Sequence, residues 1–163
     1  MGLVAGGLLA TGSIASQAQA QQASGGGTYL VLPGVRSEFQ FNQAHVQCKI
    51  GHTVMDGGTV LQMFMFSTSV DSVTIDSAAK TVSITGSMIS IVNLRLPDGT
   101  TANLSETVPY VAYGKDGGEL GGGADTFSLT VDYKDTPGLD QFDLFGSPAT
   151  FAGIVVTGAV TIR

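Results

Sequence analysis

The chain has 163 residues, a formal net charge of −6 and a pI of about 4.5, with 12% charged and 43% hydrophobic residues. The charge is about half that of an average soluble domain and the apolar content suffices for a core, which excludes wholesale disorder. Seven Lys plus Arg supply no basic stripe for nucleic acid, no apolar run reaches the ~20 residues of a helical membrane span, and the length suits one domain.

Residues 1–27 do not read as fold. Leu3 to Ala15 is mildly apolar and rich in Ala and Gly, and Ala18-x-Ala20 is the small-residue pattern after which signal peptidase cleaves. A shallow protease pocket that admits only small side chains explains the pattern. No Lys or Arg precedes the apolar stretch, and the competing reading is a buried Ala/Gly-rich helix. The expected organisation is a signal peptide over 1–20, a flexible linker over 21–27 because of Gly25-Gly26-Gly27, and a single domain over 28–163. The expected destination is secreted, cell-surface or periplasmic.

From Thr28 onward apolar residues alternate with polar ones, the period of a half-buried strand. Tyr29 to Leu32 is a β-rich run stopped by Pro33-Gly34. Phe39 and Phe41 alternate with polar neighbours, as do Val46, Cys48 and Ile50. Leu61 to Phe66 follows Gly57-Gly58, and Val73 and Ile75 form the next alternating pair. Val82, Ile84 and Met88 to Leu96 precede the turn signal Pro97-Asp98-Gly99-Thr100. Val108 to Tyr113, Phe127 to Tyr133 and Ile154 to Ile162 complete about nine short strands. No window gives an amphipathic helix of ten or more residues. The pattern predicts an all-β fold, an antiparallel β-sandwich or flattened barrel.

Several segments resemble one domain type when taken in order: Phe39-Gln40-Phe41-Asn42, Leu61-Gln62-Met63-Phe64, and Ser67-Thr68-Ser69 with Val73. Tyr113 to Gly121 then leads into Asp125-Thr126-Phe127-Ser128-Leu129-Thr130-Val131, and the chain closes on the apolar strand Gly153 to Arg163. This order resembles the post-COAP domain family of bacterial secreted and surface proteins over roughly residues 37–163. Its most specific part is the Asp-Gly-Gly-x-x-Gly…Asp-x-Phe segment. The resemblance implies an exported all-β domain and transfers no catalytic residue. Asn93 to Thr107 is longer than the family pattern and predicts an extended hairpin, and Gly158-Ala159 stands where a glycine pair is typical.

The net charge is concentrated. Residues 116–143 hold seven acids against Lys134 alone, while acids and bases elsewhere cancel. Asp116, Glu119 and Asp125 bracket a glycine-rich segment that offers carboxylates and freely turning carbonyls, the chemistry of a Ca²⁺ site. Calcium takes six to eight oxygens, more than this segment shows, so a solvated hairpin loop is the preferred reading and Ca²⁺ the alternative cofactor; no other cofactor is expected.

His45, Cys48 and His52 lie close in sequence but are three ligands where zinc takes four. In a strand Cys48 shares a face with Val46 and Ile50 while His45 points away, and Gly51 interrupts the geometry before His52. Cys48 has no partner cysteine and reads as an inert buried thiol. No Gly-x-Ser-x-Gly elbow or other catalytic constellation appears. Trp, the usual sugar platform, is absent, and Tyr110 and Tyr113 fall on opposite faces of one strand. The function expected is a secreted, non-catalytic interaction or structural module of the bacterial envelope or matrix. Its partner would be a protein or glycan surface, not nucleic acid and not a membrane that it spans. The alternatives are a calcium-stabilised carbohydrate-binding module and a small secreted hydrolase.

Overall fold

The computed structural model describes residues 21–32, 34–118, 124–133 and 148–163. The described chain is all-β, with one 3₁₀ turn at Asp56–Gly58. Its nine strands are β1 (Ala23–Leu32), β2 (Val35–Asn42), β3 (His45–Val54), β4 (Val60–Ser67), β5 (Ser72–Asp76), β6 (Thr81–Arg95), β7 (Thr101–Lys115), β8 (Thr126–Val131) and β9 (Ala149–Ile162).

The strands form one antiparallel sheet in the order β4-β3-β2-β1-β9-β8-β7-β6-β5. A further pairing of β4 with β6 closes eight of them into a barrel and leaves β5 outside the ring. Of the two architectures expected from the alternation, the structure selects the barrel. Closure removes the unpaired edges that an open sheet would expose.

Each strand sends every second side chain inward. Phe39 and Phe41, Val46, Cys48 and Ile50, Leu61, Met63 and Met65, and Phe127 and Leu129 are all buried. Phe39 stacks on Phe127 with centroids 4.4 Å apart, Phe41 stacks on the same ring at 5.8 Å, and Tyr29 meets Phe127 edge-on at 5.4 Å. These rings fill the barrel where Trp is absent. Tyr110 is buried and Tyr113 is 40% exposed, as their opposite faces require.

The glycine run read as a linker is part of β1. Ser24 to Gly27 pair with Asn42 to Phe39 on one side and with Thr161 to Gly158 on the other. A Cβ on Gly25 would overlap the Phe41 ring, and Gly27 and Gly158, both at positive φ, bring β1 and β9 too close for side chains. Glycine here serves close packing of backbones rather than flexibility. The domain accordingly takes in Ala23 to Gly27. Residues 1–20 lie outside the described residues.

The strand β6 is shared between two partners. Thr81 to Thr85 pair with β5 and Met88 to Arg95 with β4. At the changeover the connection from β4 to β5 crosses Gly86, where a Cβ would overlap the Ser69 carbonyl. The expected extended hairpin is present: β6 and β7 pair continuously from Thr81↔Lys115 to Arg95↔Thr101.

Candidate functional site

The acidic segment was the first candidate. Asp116 follows β7 directly, and Asp125 immediately precedes β8. Both carboxylates reach the same edge of β9. Arg163 and Gln22 exchange backbone hydrogen bonds across β1 and β9, so the alternate N–H groups of Ile162 and Val160 face away from β1. The pairing of β8 with β9 ends at Ile154, so no described strand receives those groups.

Asp125 Oδ2 accepts from Val160 N at 2.6 Å, and Asp116 Oδ2 accepts from Ile162 N at 3.1 Å. Their second oxygens accept from Gly117 N and Gly118 N, both at 2.8 Å. Lys80 completes the clasp: its ammonium donates to Ile162 O at 2.8 Å, and its carbonyl accepts from Asp116 N at 3.0 Å. All four carboxylate oxygens therefore hold backbone N–H groups. The structure gives Asp116 and Asp125 the mechanical task of fastening the end of β9. Glu119 lies outside the described residues. Among the described residues, no three His, Cys, Asp or Glu side chains gather as metal ligands do.

Within the barrel, Cys48 Sγ lies 3.1 Å from Ser37 Oγ and 3.4 Å from Tyr29 Oη, and all three residues are fully buried. Burial pushes the Cys48 thiol and the Tyr29 phenol above their ordinary pKa values. A second buried pair joins Ser90 Oγ and Tyr133 Oη at 2.8 Å, and burial moves the Tyr133 phenol up to about 12. These groups satisfy one another, and a protonated buried thiol is a poor nucleophile.

The imidazoles go elsewhere. His45 Nδ1 lies 3.2 Å from Ser67 Oγ, which also accepts from Val46 N at 2.9 Å. Among the described residues no carboxylate pairs with either histidine. His52 is exposed and apart from Cys48. Ile50 pairs with Met63 and Thr53 with Leu61, so Gly51 and His52 together oppose the single residue Gln62. This is a β-bulge, a device that re-aims a side chain.

The bulge places His52 at the head of a polar row that sequence reasoning missed. Gln62 pairs with Asn93, which pairs with Asn103, and two residues along the strands Val60 pairs with Arg95 and Arg95 with Thr101. Their inward neighbours Leu61 and Leu94 are buried, so this row faces outward. Together these side chains line an open cleft of about 310 Å³ on the barrel's outer surface. Apart from His52, the members of the row carry no motif in sequence, because the row crosses four strands and depends on their registers.

No family model, curated protein or solved structure matches the chain.

Proposed function

We propose that this chain is an exported, non-catalytic interaction or structural module of a bacterial envelope or extracellular matrix, and that it meets its partner with the outside of the barrel. The observation that carries this reading is the contrast between the two surfaces of the sheet. The interior is filled by stacked rings, methionines and polar groups bonded to one another. The outer face carries an open cleft lined by polar side chains.

The strand β8 directs Thr126, Ser128 and Thr130 outward and Phe127, Leu129 and Val131 inward, while elsewhere the outer surface also exposes Leu30, Leu32, Val111, Ile154 and Val156. No described helix is long and apolar enough to cross a membrane. Export rests on the Ala18-x-Ala20 pattern. Gln22 is the first residue to pair with the closing strand, so cleavage after Ala20 would cost the barrel none of its described ladder. Placement in the post-COAP family rests on the motifs quoted above.

The hydrolase alternative would use the His45–Ser67 pair, which has no orienting carboxylate among the described residues. The test is to purify the exported protein and sequence its N-terminus, then assay ester, glycoside and peptide hydrolysis. The expected result is a chain starting at Gln21 and no turnover. A secreted form retaining Met1, or turnover abolished by His45→Ala, would overturn the reading. The carbohydrate-binding alternative has its own support in the outer cleft.

A further inference from the structure

We infer that the outer cleft headed by His52 and Arg95 binds an acidic saccharide, a chain of uronic acid units, with Arg95 taking the carboxylate and the amide row taking the hydroxyls. This inference rests on the proposal that the protein is a non-catalytic module that uses its outer surface. It adds the site and the class of ligand.

Three observations point to this ligand. The first is charge. The protein carries a net −6, yet among the described residues no carboxylate lines the cleft, which holds a guanidinium and an imidazole. Arg95 is exposed and has no ion pair among the described residues. The clasp carboxylates Asp116 and Asp125 lie beyond the far end of β7, roughly 45 Å of strand from Thr101, and the nearer Asp98, at the hairpin tip, is engaged by the Thr100 N–H at 2.8 Å. An unpaired Arg is the side chain best suited to grip a carboxylate through two parallel N–H bonds.

The second is hydrogen-bonding capacity. Gln62, Asn93 and Asn103 each present a donor and an acceptor, as a sugar hydroxyl does. A sulfate only accepts, so it would leave the amide oxygens unused. Neighbouring strands set these amides about 4.8 Å apart in a line across β4, β6 and β7. That spacing suits successive polar groups of a pyranose chain laid across the strands. The small apolar side chain of Val60 offers a face for ring C–H groups.

The third is the bulge. A regular ladder would place a single residue opposite Gln62, whereas the Gly51–His52 bulge extends the polar row by an imidazole. Bulges are frequent beside binding sites, where they turn a side chain toward the ligand. The cleft volume of about 310 Å³ lies at the lower end of ligand-sized sites and suits one or two sugar units.

The test is a titration of the intact protein, followed through backbone and side-chain amide NMR signals, with short oligogalacturonate. The comparison ligands are its methyl-esterified form and a poly-glutamate peptide of similar charge. The expected result is saturable shifts at Gln62, Asn93 and Asn103. Binding of the esterified ligand should be about tenfold weaker, and the peptide should produce no saturation. Arg95→Gln should weaken oligogalacturonate about tenfold, and Asn93→Ala several-fold, while Lys115→Gln, an exposed cation at the far end of β7, leaves it unchanged. Absence of binding at about 10 mM, equal binding of poly-glutamate, or indifference to Arg95→Gln would overturn the inference. Recovery of shortened oligosaccharide after incubation would overturn the non-catalytic reading instead and leave the site in place.

Discussion

Replacing Asp125 tests the clasp that holds the last strand. In Asp125→Asn the side chain keeps one carbonyl oxygen, while its NH₂ group is turned against either Val160 N–H or Gly117 N–H. One charge-assisted hydrogen bond is then lost outright and the other becomes neutral. Hydrogen bonds to charged groups contribute about 1.5–3 kcal/mol and neutral ones about 1 kcal/mol, and an unmet buried donor adds a penalty. The site is only partly buried, so water offsets part of the loss. The expected destabilisation is about 2 kcal/mol, equivalent to a fall in Tm of roughly 4–8 °C for a domain of this size. Urea unfolding of wild type and variant measures the first quantity, and hydrogen exchange at the Val160 amide should accelerate in the variant. A change below about 0.5 kcal/mol with unaltered exchange would refute the clasp. The same samples, heated with Ca²⁺ or with Na⁺ at equal ionic strength, separate the clasp from a metal site. Equal responses to both salts are expected, because the carboxylate oxygens already hold backbone N–H groups. A rise in Tm with Ca²⁺ alone that Asp125→Asn abolishes would restore the calcium reading.

Cys48 should react slowly with a thiol reagent in the native protein and rapidly after denaturation, because it is buried and its thiol is held protonated; Cys48→Ala should cost on the order of 1 kcal/mol as a small cavity. Burial raises the Tyr133 phenol to about 12 and the Tyr29 phenol in the same direction, so the stability they contribute is fully present below the unfolded tyrosine value of about 10 and is lost as pH rises toward 12. Urea midpoints should therefore fall over that interval, by less in Tyr133→Phe, and a flat profile would contradict the burial argument. Gly158→Ala should destabilise the barrel by more than about 3 kcal/mol, because its Cβ meets the Gly26 backbone at positive φ. Gly34→Ala, also at positive φ but in open space, should cost only about 1 kcal/mol, and similar unfolding midpoints for the two variants would refute the close-approach argument.

Much of the local structure was legible in the residues. Period-two alternation at Phe39 and Phe41, at Val46, Cys48 and Ile50, and at Leu61, Met63 and Met65 identified both the strands and their buried faces, because a pleated strand sends successive side chains to opposite sides. The turn at Pro97 to Thr100 and the long hairpin around it were likewise readable, since both are contiguous in sequence. What depends on strands meeting across the fold was not. Gly25 to Gly27 looked like a linker because glycine's local preference is for freedom, and only the approach of Phe41 and β9 turns that absence of a side chain into a packing requirement. Asp116 and Asp125 read as members of a solvated loop, with calcium as the alternative, because composition shows charge but not acceptors in use; besides the nearby Gly117 and Gly118, each holds an N–H group more than thirty positions away. The row from His52 to Asn103 carries no motif, since its members become neighbours only when four strands settle into register. Sequence alone determined which residues face inward, a property of each strand's own period; tertiary structure decided what the outward and loop residues meet, because register and closure are properties of strand pairs.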